Sequence, residues 1–335
     1  MAVVTVHRLL ELIVAGDREA VVETAVDLAR VEGLDPVIAL LAGVQHEVGR
    51  RWQDTDWSVA DEHAATALSD LALAAAALTI APAEPTGGAV VVTCAEEEWH
   101  VLPARMFAEQ LRAYGWEVVF LGASTPADHL AAYLRRHPVV AVGVSCSIPV
   151  NLPGARRSIV AAHEAGVPAM AGGAAFGTTP IRAVAAGADA WATSIEAAHG
   201  AACSWAGAVP PLARPADDRD QLALAAYRQD MVDAAMADLA MECPDVAGYS
   251  PSQLKRTRED LDYIVRFVEA AVLTADDTVV DEFVRWLVPL LSARGVPPRT
   301  VVAGIDVLRR HLPPQHQSAA RLLGLASGLV DQLSR

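Results

Sequence analysis

The sequence is poor in positive charge, and this shortage excludes one class of partner. Its 26 lysines and arginines are outnumbered by 41 aspartates and glutamates, for a net charge of −15. A surface that binds nucleic acid needs basic patches to meet the phosphates, and no basic tail or recognition helix stands out. We therefore expect no nucleic-acid partner.

Cysteine and long apolar runs are also scarce. The four cysteines stand far apart, with no Cys-x-x-Cys pair: Cys94, Cys146, Cys203 and Cys243. Scattered cysteines form neither a zinc site nor a disulfide framework, and they suit a reducing compartment. The N-terminus lacks the basic start and cleavage site of a signal peptide, and the alanine-rich run 71–81 is too short to span a membrane. We expect a cytoplasmic protein with no membrane partner.

The 335 residues, 53% of them hydrophobic, show three successive patterns. Residues 1–82 repeat apolar side chains at helical spacing and predict a four-helix bundle. After a short linker, residues 89–205 alternate apolar strands with helices, which predicts a doubly wound parallel, Rossmann-like α/β domain. A second linker, 206–220, leads to residues 221–335, which are helical throughout. The predicted fold class is thus α/β plus all-α.

The end of the first predicted strand carries the most informative segment, Glu98-Trp99-His100-Val101-Leu102-Pro103. Ligands of open α/β sheets bind at the carboxyl ends of the strands. A histidine two residues after a carboxylate can offer one ring nitrogen to a metal and the other to the carboxylate. We therefore predict that His100 is a metal ligand. The alternative is an ordinary loop histidine in a nucleotide-binding fold.

This segment resembles the Asp-x-His-x-x-Gly signature of cobalamin-binding Rossmann-like domains. Ser145 and Ser147 stand where that family has Ser-x-Leu after the third strand. Gly172 and Gly173 stand where it has Gly-Gly after the fourth, which lets the nucleotide tail of the cofactor approach the backbone. The three marks follow strand ends in the family's order.

The resemblance implies that His100 is the lower ligand of cobalt and that the other marked residues contact the cofactor. Those contacts are Glu98, Trp99, Val101, Leu102, Ser145, Ser147, Gly172 and Gly173. The segment departs from the family's pattern at Glu98, which replaces Asp, at Ser147, which replaces Leu, and at Pro103, which replaces Gly. Glu98 still supplies a carboxylate behind the histidine.

A second resemblance concerns the helical bundle. Trp52 is followed by nine residues and then by Glu62-His63, a spacing similar to that in the cap of CarH-type adenosylcobalamin photoreceptors. The resemblance implies that Trp52 packs on the adenosyl group, that Glu62 hydrogen-bonds it, and that His63 becomes the upper cobalt ligand after light. Taken singly, the tryptophan is equally a core residue and the Glu-His pair a solvated first turn. CarH-type repressors carry a DNA-binding domain ahead of the cap, and this chain begins with the cap, so we expect another output.

The helical patterns of residues 250–263 and 286–291 resemble a globin- or phycobiliprotein-like sensor module. This order of domains is similar to that of the photocobilins, which hold adenosylcobalamin and biliverdin, and the resemblance covers essentially the whole chain. It implies that the module binds a bilin. An amphipathic helix with a basic stripe and an aromatic core is the alternative.

A bilin needs cations for its propionates and an apolar slot for its rings. The candidates are Tyr249, Lys255, Arg256, Arg258, Tyr263, Arg266, Phe267, Phe283, Trp286 and His311. Relatives often carry His near position 264, where this chain has Ile264, so His311 and His316 are candidate polar partners of the pyrroles. Cys243 could form a thioether, but we expect a buried thiol and a non-covalent bilin.

These resemblances imply a photoreceptor without enzymatic turnover. Breakage of the Co–C bond by light would move the cap and change the interface with another subunit or a downstream partner. We expect a homo-oligomer with light-dependent assembly. The alternative is a corrinoid carrier for methyl transfer with a helical interaction domain. A radical mutase subunit would need a substrate-binding barrel, and the sequence has no repeated βα pattern of that size.

Overall fold

The computed structural model describes residues 5–334, so the predictions for residues 1–4 and 335 lie outside it. The N-terminal domain, called the cap below, is a bundle of four helices: α1 (Val6–Val14), α2 (Arg18–Glu32), α3 (Leu34–Gln53) and α4 (Val59–Ala77). Helix α4 begins where predicted, because Ser58 and Asp61 form a reciprocal capping box. Helix α3 ends just after Trp52, and a short loop joins it to the start of α4.

The central domain contains a five-stranded sheet in which every pairing is parallel. Its strands are β1 (Ala89–Cys94), β2 (Glu117–Gly122), β3 (Ala141–Ser145), β4 (Ala169–Gly172) and β5 (Ala190–Trp191). The strand order is β2-β1-β3-β4-β5. The chain reverses its winding direction between β1 and β3, and ligands of such sheets bind at that point.

Five helices surround the sheet: α5 (Val101–Ala113), α6 (Ala127–Leu134), α7 (Leu152–Glu164), α8 (Ile181–Ala186) and α9 (Ile195–Gly207). Helix α9 is an addition to the predicted pattern, which has no element between the fifth strand and the second linker. Ser194 caps it by accepting a hydrogen bond from Ala197 N. Its buried residue Trp205 packs in the core on the α5 side of the sheet.

The C-terminal domain is all-helical, as predicted. Its helices are α10 (Arg219–Glu242), α11 (Pro244–Ala247), α12 (Pro251–Thr274), α13 (Thr278–Ala293), α14 (Pro298–Arg310) and α15 (Gln317–Leu333). Ser250 and Gln253 form a capping box at the start of α12, and Pro251 occupies the first helical position. None of the described helices is both long enough and apolar enough to cross a membrane.

The described residues form three hydrophobic cores, one of which lies between the sheet and helices α5 and α9. The cap has its own core, which takes in Leu102 and Met106 from α5. On the other side of the sheet, a single core runs from Val144 and Ile159 of the central domain into Met231 and Val265 of the C-terminal domain. The central and C-terminal domains are therefore packed as one body, and the cap rests on α5.

Candidate functional site

The candidate site lies at the carboxyl ends of β1 and β3, where the chain reverses its winding direction. Cys94, Ser145 and Gly172 are aligned at the carboxyl ends of β1, β3 and β4. The loop from Ala95 to His100, called the ligand loop below, continues from β1 along this edge. Three of the segments predicted to hold the cofactor therefore meet at one edge of the sheet.

His100 ends the ligand loop at the N-cap of α5. Its Nδ1 lies 2.6 Å from Glu98 Oε1, and its backbone N–H donates to the same oxygen at 2.9 Å. With Nδ1 held by the carboxylate, Nε2 is left for a metal, as the sequence predicted. The His100 side chain is 52% exposed, and within residues 5–334 nothing hydrogen-bonds Nε2.

Glu98 is fully buried, and both of its carboxylate oxygens accept hydrogen bonds from the protein. Its Oε2 accepts from Ser147 N at 2.8 Å, Ile148 N at 3.1 Å and Asn151 Nδ2 at 3.2 Å. Together with the two bonds from His100, these contacts tie the ligand loop to the segment after β3. The extra methylene that distinguishes Glu98 from the family's Asp is thus accommodated inside the protein.

The electrostatics of this pair keep Glu98 charged. Burial alone would raise the pKa of Glu98, but hydrogen bonds from His100 and from backbone N–H groups outweigh it and lower the pKa to about 2. The hydrogen bond to Glu98 raises the pKa of His100 against the effect of burial, and the Glu62 carboxylate of the cap adds to the rise. Glu62 is therefore close enough to His100 for its charge to be felt.

The predicted Gly-Gly turn after β4 has no room for a larger residue at its second position. Gly173 has φ +101°, and a Cβ placed on it would stand 2.4 Å from the backbone oxygen of Cys146. At Gly172 a Cβ would meet Ala192 O at 3.4 Å. The backbone after β4 thus passes directly against the backbone after β3, beside Ser145 and Ser147. The close approach of these two backbones therefore requires glycine at position 173.

The remaining residues of the motif lie in different environments. Trp99 is 73% exposed and stands free beside His100, while Val101 is half-buried. Leu102 is buried in the core of the cap. Leu102 therefore seats the cap on α5, and its contact with a cofactor stays a prediction.

The cap brings the Glu62 carboxylate near His100, since its charge acts on the pKa of His100. His63, the next residue of α4, is 73% exposed and has Nε2 at 3.5 Å from Glu62 Oε2. Thr66 Oγ1 lies 3.4 Å from Glu62 Oε1 and donates at 2.9 Å to Gln45 Oε1. Glu62 is thus partly enclosed by α3 and α4, while the His63 ring lies in solvent.

Trp52 has a partner that the sequence did not predict. Its ring lies parallel to that of Trp286 of α13, with centroids 6.3 Å apart and an interplanar angle of 14°. The Arg294 guanidinium lies 4.9 Å from the Trp52 ring centroid. The end of α3 therefore contacts the C-terminal domain.

Trp286 belongs to a row of aromatic rings in the C-terminal domain, called the aromatic row below. Phe283 lies 6.2 Å from Trp286 and is stacked on Phe267 at 3.8 Å, and Phe267 lies 5.8 Å from Tyr263. The row brings together four of the predicted bilin contacts. It runs from the cap to the ligand loop along α12 and α13.

The other bilin candidates are dispersed. Arg258 pairs with Asp233, His311 Nε2 lies 2.8 Å from Asp238 Oδ2, and Lys255 lies 3.7 Å from Glu259. Tyr249 is half-buried, Arg256 is exposed, and His316 and Cys243 are buried. The burial of Cys243 agrees with the expected inert thiol. Arg266 donates to residues of the ligand loop and of the segment after β3.

Sequence analysis missed Asp260, which is half-buried on α12 one turn before Tyr263 and Ile264. Burial and the Glu259 carboxylate raise its pKa to about 6, and Arg294 and Arg256 offset this only in part. No described residue hydrogen-bonds it. A half-buried carboxylate with no hydrogen-bond donor among residues 5–334 is a candidate acceptor for the pyrrole nitrogens of a bilin, and nothing in the sequence distinguishes Asp260 from Glu259 and Asp262.

The residues at the sheet edge fit a corrinoid. Across residues 5–334, no three His, Cys, Asp or Glu side chains come together as a metal cluster. A single histidine backed by a carboxylate suits a metal whose other ligands come from a macrocycle. His100 with Glu98, and the strand-end loops that meet at Gly173, are the parts that would hold the cofactor.

Comparison with known families agrees with this geometry. Residues 5–76 match one B12 binding domain model and residues 88–199 match another. Residues 221–332 match the model of phycobilisome proteins. The three matches follow the cap, the central α/β domain and the C-terminal helical domain.

Three solved structures are similar to part of the chain. A novel cobalamin-binding protein from Desulfitobacterium hafniense DCB-2 is 18% identical over 61% of this chain and 99% of that chain, with a TM-score of 0.33. The monomethylamine corrinoid protein of Methanosarcina barkeri is 21% identical over 58% and 95%, with a TM-score of 0.46. The methanol:cobalamin methyltransferase complex of the same organism is 19% identical over 60% and 80%, with a TM-score of 0.34. A search of curated proteins found no match.

Proposed function

We propose that this cobalamin-binding protein, whose third domain is of the phycobilisome type, is a light sensor that holds adenosylcobalamin and biliverdin. The observation that carries the proposal is the stack of Trp52 on Trp286. The residue predicted to touch the adenosyl group is also the residue through which the cap touches the aromatic row. A change above cobalt is thereby felt in the second chromophore domain.

The residues of the cobalamin site have separate roles. His100 binds the metal from below, and Glu98 fixes the direction of its ring. Gly172 and Gly173 admit the nucleotide tail. Adenosylcobalamin, when bound, supplies a Co–C bond that visible light breaks.

The upper side of the site belongs to the cap. Trp52 and Glu62 would contact the adenosyl group, and His63 would be available to the metal in its absence. His63 is suited to this role because it is exposed and, among residues 5–334, pairs with Glu62 alone, at 3.5 Å. Binding of His63 to the metal would draw α4 toward the central domain.

Biliverdin would be held without a covalent bond beside Tyr263 and Trp286, the half-buried ends of the aromatic row. Asp260 would accept hydrogen bonds from the pyrrole nitrogens, and Arg294 and Arg256 would supply charge for the propionates. The support for this site is the half-buried Asp260 carboxylate, on which the charges of both guanidiniums act. The ring of Trp52 beside Arg294 closes the site on the cap side.

The output is a change of assembly rather than a catalysed reaction. Movement of the cap relative to the other two domains changes the surface offered to a second copy of the chain or to a downstream protein. We propose a homo-oligomer whose state differs between dark and light.

An absorption spectrum after co-expression with both cofactors tests the chromophores. We expect a corrinoid spectrum together with a long-wavelength bilin band. Illumination should change the corrinoid bands and the oligomeric state measured by light scattering. If spectrum and oligomeric state both stay as they were in the dark, the protein is not a light sensor. Binding of methylcobalamin in preference to adenosylcobalamin would instead favour a methyl carrier.

Replacement of His63 separates the upper ligand from a general effect on the cap. We expect His63→Ala to change the spectrum of the illuminated protein. His7→Ala is the matched control, because His7 is an exposed cap histidine on α1 that pairs with Glu11. Equal lit spectra for His63→Ala and the unchanged protein would exclude His63 as the ligand.

A further inference from the structure

We infer that Arg266, contributed by the phycobilisome-type domain, positions the lower cobalt ligand His100. The inference rests on the part of the proposed function that makes His100 the ligand, and it is independent of any light response. Arg266 was predicted as a bilin contact. Its guanidinium instead meets the ligand loop and the segment after β3.

A chain of hydrogen bonds joins Arg266 to His100 through Asn151 and Glu98. Arg266 Nη2 donates to Asn151 Oδ1 at 3.4 Å, Asn151 Nδ2 donates to Glu98 Oε2 at 3.2 Å, and Glu98 Oε1 lies 2.6 Å from His100 Nδ1. Because an amide has one acceptor and one donor end, the guanidinium at its oxygen turns its NH₂ group toward Glu98. Arg266 thus sets the orientation in which Asn151 supports the carboxylate behind the ligand.

The same nitrogen of Arg266 holds the ligand loop at a second point. It donates to Glu97 Oε2 at 2.9 Å, while Arg157 Nη2 donates to Glu97 Oε1 at 3.2 Å. Glu97 has φ +71°, a left-handed conformation that a residue other than glycine adopts at a cost of about 1 kcal/mol. Two arginines, one from each of two domains, therefore stabilise the strained residue next to Glu98.

The position of Arg266 links the two chromophore domains. It lies on α12 with its guanidinium 5.8 Å from the ring of Tyr263, the end of the aromatic row. A ligand that shifts α12 at the aromatic row moves Arg266. This movement changes the orientation of Asn151 and the hydrogen bond from Arg266 to Glu97. The lower ligand is thus held by the domain that would carry the bilin.

The test uses full-length protein in the dark, loaded with adenosylcobalamin or with cob(II)alamin. We expect Arg266→Ala to weaken adenosylcobalamin binding about tenfold, the lower end of the effect of losing a partner behind a metal ligand. The spectrum should shift toward the form without the histidine ligand. Both proteins are then labelled with ¹⁵N-histidine and loaded with cob(II)alamin. The nitrogen splitting in the electron paramagnetic resonance spectrum should be weaker for Arg266→Ala than for the unchanged protein.

Two further variants separate positioning from folding. Arg266→Lys keeps donors for both Glu97 and Asn151, so we expect it to restore most of the affinity and the histidine splitting. Arg258→Ala is the matched control, since Arg258 lies on the same helix and contacts Asp233 and Gln229 of α10. It should leave the cobalamin spectrum unchanged.

Three results would overturn the inference. The first is an Arg266→Ala protein with unchanged affinity and splitting. The second is reduced affinity with the full histidine splitting, which would indicate a structural role alone. The third is loss of biliverdin with cobalamin unaffected, which would make Arg266 a bilin ligand. His100→Ala tests the underlying proposal separately: if it retains the splitting, His100 is not the ligand.

Discussion

Gly173 lies just after β4, beside the candidate cobalamin site, and two separate strains act on it. Its φ of +101° disfavours any side chain, and a Cβ would meet Cys146 O at 2.4 Å. Gly166 has φ +75° but open space around its Cβ position, so it offers the first strain without the second. Substitutions at Gly166 and Gly173 can therefore be compared to separate the effect of backbone strain from the effect of the close approach of two strand-end loops.

We predict that Gly166→Ala lowers the free energy of unfolding by about 1 kcal/mol, from backbone strain alone. Gly173→Ala should lower it further and should weaken cobalamin binding, because the loop after β4 must move away from β3. Urea denaturation and a cobalamin titration measure the two effects. Equal losses of stability with unchanged cobalamin affinity would show that the close approach has no part in binding.

Asp260 gives a prediction about pH. In the folded protein burial raises its pKa to about 6, above the ordinary value of 3.8. The folded state therefore holds the proton more tightly than the unfolded state. The ionised form is penalised, and the penalty is absent below about pH 4 and fully present above about pH 6.

We expect Asp260→Asn to remove this penalty in the cofactor-free protein. Relative to the variant, the unchanged protein should lose about 2 to 3 kcal/mol of unfolding free energy between pH 4 and pH 6. Asp233→Asn is the control of opposite sign, because Arg258 lowers the pKa of Asp233. Parallel stability curves for Asp260→Asn and the unchanged protein would show that Asp260 titrates normally.

The individual site residues were predictable to different degrees. His100, Glu98 and Gly173 could be predicted because they belong to a motif of fixed order. The motif places two of them on one loop and the third on one turn. Asn151 and Arg266 stand in no motif, since their contacts arise only when α12 packs against the segment after β3. Asp260 was equally hidden, because the sequence does not say which carboxylate of a helix faces inward.

At the scale of elements, α8 is joined to α13 by a buried arginine. Arg182 is 1% exposed. It donates to Asp276 Oδ2 at 2.7 Å, to Thr278 Oγ1 at 2.9 Å and to both oxygens of Glu282 at 3.0 Å, and it also donates to Ala175 O at 3.0 Å. The contact ties the turn after β4 to the start of α13. It fixes the C-terminal domain on the central domain.

We predict that Arg182→Met, which keeps the apolar stem, lowers the free energy of unfolding by about 3 kcal/mol, because it leaves Asp276 without its buried partner. Arg285→Ala should change it by less than about 0.5 kcal/mol, as Arg285 forms an exposed pair with Asp281 one turn away on the same helix. Chemical denaturation of both variants measures the difference. If the two losses are equal, Arg182 is not a structural joint.

The elements themselves were largely predictable, because capping residues and proline mark their ends. Ser58, Ser250 and Pro251 start helices where expected. Helix α9 was not predicted, since residues 195–207 are mostly alanine and glycine and their amphipathic pattern is weak. Its place is set by packing of Trp205 against the sheet, which is a tertiary effect.

At the scale of the whole molecule, the cap is joined to the rest less extensively than the other two domains are joined to each other. The central and C-terminal domains share a large core and the Arg182 contact, whereas the core of the cap takes in Leu102 and Met106 of α5. This two-body division depends on which apolar faces meet, so it does not follow from the hydrophobic pattern as the fold class does. It would allow the proposed change above cobalt to move the cap without unfolding the rest.

The stack of Trp52 on Trp286 joins the cap to the C-terminal domain, in addition to the contacts of the cap with Leu102 and Met106 of α5, and its loss should loosen the end of α3. An aromatic pair contributes about 1 kcal/mol, so Trp286→Ala should speed amide hydrogen exchange at the end of α3 about fivefold in the dark. Trp286→Phe keeps a ring and should show a smaller effect. Arg182→Met should instead speed exchange at the start of α13 and leave α3 unchanged. Uniform acceleration over all three domains in Trp286→Ala would contradict the two-body division, because the stack would then stabilise the whole fold rather than hold the cap to its neighbour.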